Sequence, residues 1–113
     1  VNNWYSAFLI SKSYNSKFYA VLQPNIFSSQ GDLDKLILPI KINEINEYKK
    51  LYPLIIEEVQ KKCLIDESFC STFVDGSKWI ESHSNVFIDE VHLNQKGNSI
   101  IVDNLERIQK LKR

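Results

Sequence analysis

The sequence predicts an α/β fold, a parallel sheet with helices on both faces. Three observations predict it. Apolar residues recur at helical spacing in three stretches, two short β-prone runs lie between them, and the two kinds of element alternate along the chain. Alternation requires crossover connections, and crossovers make the joined strands parallel. At 113 residues the chain is one domain or part of one. An apolar fraction of 43% and an aromatic fraction of 12% belong to a folded chain rather than a disordered one.

The first element is helical. "WYSAFLISKSY" sets Trp4, Phe8 and Ser11 on one stripe with Tyr5 and Leu9 beside it, and "YNS" ends it. In "KFYAVLQPN", Phe18, Tyr19, Val21 and Leu22 form a strand that Pro24 stops. Near-continuous apolarity fits a strand covered on both faces. From Ile26 to Asn43 the chain reads as an irregular surface excursion with a turn at "SSQGD", expected to cross the strand ends and shape a site.

The second helix is "NEINEYKKLYPLIIEEVQKKC", where Ile45, Tyr48, Leu51, Tyr52, Ile55, Ile56 and Val59 recur at helical spacing. Pro53 is expected to kink or split it. "SFCSTFVDG" reads as the second strand, with Asp75 and Gly76 at its end, and "SKWIES" as a helical turn. Ile100, Ile101, Leu105, Ile108 and Leu111 give the last helix its buried stripe, and the basic "KLKR" suits its C-terminus. Two strands cannot build the sheet that such helices normally cover. The remaining strands are expected from an N-terminal half outside these residues or from a second chain. The start at Val1 rather than methionine fits that expectation.

Charge excludes some partners. Lysine plus arginine and aspartate plus glutamate balance at 14 each, so the chain lacks the basic footprint that nucleic acid or anionic lipid requires. Apolar runs such as "AFLI" and "VFI" fall far short of a membrane span. Cys63 and Cys70 flank "LIDESF". Two small free thiols are the favoured reading, ahead of a disulfide tying a helix end to the next strand, which would imply an oxidising compartment. Metal ligation comes last, because no four-ligand spacing exists. The sequence leaves the compartment open.

The chemistry concentrates in "FIDEVHLNQKGNSII", Phe87 to Ile101. Asp89 and His92 are spaced so that a turn or a first helical turn points both side chains the same way. A histidine that takes a proton from a hydroxyl presents one ring nitrogen to it. A carboxylate on the other nitrogen fixes the tautomer and stabilises the imidazolium that forms. In open α/β sheets such groups sit beyond the carboxyl ends of the strands, where this motif is expected. With six aspartates and two histidines, the bare spacing arises by chance in about one such sequence in ten. The bland alternative is a capping aspartate beside a surface histidine.

The wider context resembles a known family. "DEVHLNQKGNSIIVDNL" is similar to the last block of the SGNH hydrolases, the GDSL-type esterases and lipases, in which Asp-x-x-His-Leu-Asn precedes a Gly-Asn pair in the C-terminal helix. Asp89, His92, Leu93, Asn94, Gly97 and Asn98 match. "FYAVLQPN" and "STFVDGSKWI" resemble upstream strands of a bacterial branch, in the same order. The resemblance implies a flavodoxin-like three-layer α/β/α sandwich. It also implies hydrolysis of an ester, with removal of an O-acyl group from a carbohydrate or lipid. His92 would serve as base and then acid, and Asp89 would orient it. No metal or organic cofactor is called for.

The chain departs from the family in one respect. The Gly-Asp-Ser nucleophile motif and the glycine and asparagine oxyanion donors are absent, and "GDL" at Gly31 to Leu33 lacks the serine. These residues are therefore expected to be the C-terminal portion of such an enzyme, inactive alone. The alternative is a non-catalytic binding or dimerisation module on the same fold. Ser77 in "FVDGSKW" lies faintly like a nucleophile elbow, but a polar turn is the favoured reading. Gln23 and Asn25 end the first strand and are weighed as substrate contacts against loop-backbone partners. Trp79 is a core anchor or a pocket wall. His83 reads as solvated.

Overall fold

Ala20–Leu22 (β1) and Phe73–Asp75 (β2) pair in parallel, Ala20 opposite Phe73 and Leu22 opposite Asp75. The computed structural model describes residues 1–28 and 42–111. The remaining elements, in chain order, are α1 (Asn2–Ser13), a 3-10 turn (Ile26–Ser28), α2 (Ile42–Ile65), α3 (Glu67–Cys70) and α4 (Gln95–Leu111). The fold is thus mixed, helices with a parallel pair of strands, and among the described residues no third strand joins the pair. Most of the excursion read between Ile26 and Asn43 lies outside the described residues.

The chain forms two compact units, Val1–Leu22 with Lys49–Asp75 and Gln23–Tyr48 with Gly76–Arg113. In the first, Phe8 of α1, Val59 of α2 and Phe69 of α3 make the buried core, with Trp4, Tyr5, Phe18 and Phe73 packed against it. The Tyr5 ring meets Phe69 edge-on at 5.3 Å, and Phe8 lies 5.6 Å from Phe69. Such pairs add about 1 kcal/mol each beyond the area they bury. The stop signal of α1 works as read. Asn15 takes φ of 52°, and the Ser16 and Asn15 amides return to the carbonyls of Ser11 and Lys12, at 2.8 and 3.1 Å. That is a Schellman end with asparagine in the usual place of glycine.

Three expectations need correction here. Of the kink or split expected at Pro53, the split does not occur, since the second helix runs unbroken from Ile42 to Ile65. One lost backbone bond is tolerated where half-buried Tyr52, Ile55 and Ile56 keep packing on either side. The segment from Ser68 to Cys70 is helical rather than extended, and the strand begins only at Phe73. Asp66 is the cause, since its carboxylate accepts the Ser68 amide at 3.0 Å and caps a helical turn. The Ser68 hydroxyl also donates to this carboxylate, and it is the leading reason the Asp66 pKa lies below its ordinary value. The two cysteines are not free thiols. Cys63 and Cys70 form a disulfide with Cα atoms 4.9 Å apart, a separation the helical turn supplies.

In the second unit Ile26, Phe27, Ile80 and Val86 are buried. Phe27 stacks on Tyr48 at 4.8 Å, and the Ile26 amide donates to the Glu90 carbonyl at 3.0 Å. "SKWIES" forms successive single turns, with the Trp79, Glu81 and His83 amides donating three residues back. The stripe of α4 is less covered than expected. Ile100, Ile101, Leu105 and Ile108 are half-buried, and Leu111 is exposed because it lies in the last turn. No described helix is long and apolar enough to cross a membrane.

The disulfide closes a loop with a sequence separation of 7. Chain-entropy reasoning assigns such a closure about 2 kcal/mol. Cys70→Ser is expected to lose that much, measured by urea unfolding, and added reductant should destabilise the wild type but not the variant.

Candidate active site

Asp89 and His92 sit on a loop that doubles back on itself. Phe87 and Leu93 form an antiparallel bridge at its neck. The Ile88 amide donates to the His92 carbonyl at 2.8 Å, and the Asn94 amide donates to the Val86 carbonyl at 2.9 Å. Asp89 turns back onto the loop's own backbone. Its Oδ1 accepts the Val91 and His92 amides at 3.0 and 2.8 Å, and its Oδ2 accepts from His92 Nδ1 at 2.7 Å. One carboxylate therefore does both things weighed from the sequence, capping a turn and orienting an imidazole.

The electrostatics follow from those contacts. The Val91 amide first, then the His92 amide and ring, pull the Asp89 pKa from 3.8 to about 2. An ionised carboxylate can only accept, so in the neutral imidazole Nδ1 carries the hydrogen and Nε2 the lone pair. The side chain of Asp89 is 31% exposed and that of His92 74%. Nε2 makes no hydrogen bond among the described residues. The ring is thus oriented on one side and open on the other, as a base awaiting a hydroxyl must be.

The residues after His92 hold the loop to a helix. Asn94 caps α4, its Oδ1 accepting the Gly97 amide at 3.0 Å, while its Nδ2 donates to the Asn85 carbonyl at 2.8 Å. Lys96 Nζ donates to the Ser84 carbonyl at 2.8 Å. A Cβ at Gly97 would lie 2.7 Å from the Val86 carbonyl oxygen, so only glycine allows this approach. An open groove of about 550 Å³ runs along α4, walled by Ile88 and Leu93 of the loop and by Asn98 and Val102 of the helix. Its first walls are the residues on either side of the Asp-x-x-His stretch.

The other singled-out residues lie elsewhere in the second unit. Gln23 is exposed, Trp79 half-buried, and none of Gln23, Asn25 and Trp79 lines the groove. Asn25 and Ser77 are buried, at 2% and 6% exposure, and both are engaged by other groups. No hydrogen bond joins Ser77 to His92. His83 is half-buried rather than solvated, because the turns that begin at Gly76 carry it inward. Sequence reasoning passed over Asn85. It takes φ of 56°, and the "SN" ahead of an apolar run was the available signal.

No family model matches the chain, and neither a curated protein nor a solved structure matches it.

Two outcomes follow from this geometry. Gly97→Ala should destabilise the protein by about 1–3 kcal/mol through overpacking, read from the urea midpoint. Asp89 has a lowered folded-state pKa, so its contribution to stability is complete above about pH 4 and is lost as pH falls through about 2. The stability gap between wild type and Asp89→Asn should accordingly narrow across that window, and a constant gap would contradict the assignment.

Proposed function

We propose that this chain carries the base and the orienting carboxylate of a serine ester hydrolase of the SGNH type, as the C-terminal portion of its three-layer α/β/α sandwich. The observation that carries the reading is the 2.7 Å contact between Asp89 Oδ2 and His92 Nδ1 on an exposed ring whose opposite nitrogen makes no hydrogen bond among the described residues. The match of Leu93, Asn94, Gly97 and Asn98 to the family's last block supports it, since two of these residues have evident local tasks. Asn94 caps the following helix, and Gly97 admits the Val86 carbonyl.

The nucleophile is a serine supplied by polypeptide outside these residues. As its oxygen bonds to the ester carbonyl carbon, its proton passes to His92 Nε2. The tetrahedral intermediate collapses, the carbon–alkoxy bond breaks, and Nε2–H protonates the departing alcohol. Water then repeats the sequence on the acyl-enzyme, releasing the acid. Asp89 stays ionised throughout and stabilises the imidazolium. The substrate is an O-acyl ester of a carbohydrate or lipid.

In the intact protein, His92→Ala should lower turnover of an aryl acetate about a thousandfold or more. Wild-type rates in that variant refute the reading. An intact protein without any Ser-dependent turnover supports the alternative, a binding module on the same fold. Activity of the 113-residue chain alone, abolished by Ser77→Ala, would move the nucleophile to Ser77.

A further inference from the structure

We propose that Asn94 is a positioning residue for the Asp89–His92 pair, acting through its tie to Asn85 as well as through its cap on α4. The inference rests on the functional reading above and extends it to a residue that touches neither ring nor carboxylate. His92 is 74% exposed, so packing does not hold its ring. The ring is held by the Asp89 carboxylate, and that carboxylate is held by the Val91 and His92 amides of the same loop. Whatever fixes the neck of the loop therefore fixes the pair.

Asn94 fixes the neck from both sides. Its amide donates to the Val86 carbonyl at 2.9 Å and its carbonyl accepts the Asn98 amide at 2.9 Å. Its side chain spans the same gap, with Nδ2 on the Asn85 carbonyl at 2.8 Å and Oδ1 on the Gly97 amide at 3.0 Å. Asn85 stands at positive φ directly before the buried Val86, so its carbonyl direction depends on a strained residue that needs an anchor. Asparagine alone among the short polar residues carries its donor and its acceptor on two separate atoms, so that Nδ2 meets that carbonyl while Oδ1 meets the helix. Aspartate and serine can cap but cannot supply the same amide donor.

The experiment reads the tautomer of neutral His92 by imidazole ¹⁵N shifts in the 113-residue chain, with α4 followed by circular dichroism. Wild type is expected to hold the Nδ1–H form, whereas free histidine in water prefers Nε2–H. Asn94→Asp, which keeps the cap, should retain helicity while Nδ1–H drops from the major to the minor tautomer. Asn94→Ser, capping without charge, decides the matter if the aspartate variant unfolds and must give the same drop. A wild-type tautomer in a folded variant overturns the proposal and leaves Asn94 a helix cap. An Nε2–H majority in wild type removes the oriented base itself, and with it both this inference and the proposed function.

Discussion

A methyl group at position 97 would lie 2.7 Å from the Val86 carbonyl oxygen and 3.0 Å from Leu93 Cβ. The first turn of α4 can therefore approach the loop before it only if that position is glycine, and the local architecture depends on this approach. It brings the Gly97 amide within reach of Asn94 Oδ1 and sets Leu93 against the helix. It also lets Lys96 reach back to the Ser84 carbonyl. Once the loop is pinned there, the chain between Phe87 and Leu93 has little freedom left. Asp89 then meets two backbone amides whose direction is already fixed.

This order of causes matters for the energetics of the pair. An exposed carboxylate and imidazole attract each other weakly in water, and holding two side chains in register costs entropy. Their attraction cannot be what organises the loop. Backbone amides organise Asp89, and they are the leading cause of its depressed pKa, ahead of the histidine. The pair is thus preorganised by the backbone, which is what the proposed acyl-transfer chemistry would draw on.

Legibility in the sequence followed the range of the interaction. The end of α1 was readable because a Schellman turn involves only neighbouring residues, and "YNS" contains its left-handed asparagine. The Asp-x-x-His pairing was readable for the same reason, since a turn of known length dictates where two side chains point. The failures came where local signals conflicted. "SFCSTFVDG" is β-prone by composition, yet Asp66 caps it from outside the window and the bond to Cys63 holds its first residues in a turn. The cysteine state depended on the same turn, since an extended Ser68–Cys70 would not bring the two Cα atoms to 4.9 Å. At Pro53 only the split failed, because propensity counts one lost bond and ignores the packing that keeps a long helix whole.

The two short strands set the remaining constraint. Three residues each, paired only with one another among the described residues, are too little to stand as a sheet on their own. Parallel strands are normally covered on both faces and flanked by further strands, yet Val21, Phe73 and Val74 are only half-buried and Asp75 is exposed. Stability in the first unit must therefore come from elsewhere. The aromatic cluster around Phe69 and the disulfide beside it meet that need, because they join α1, α2 and α3 and, through Phe73, hold β2 to them. Phe73 ties β2 to that cluster, and among the described residues no further strand pairs with β1 or β2.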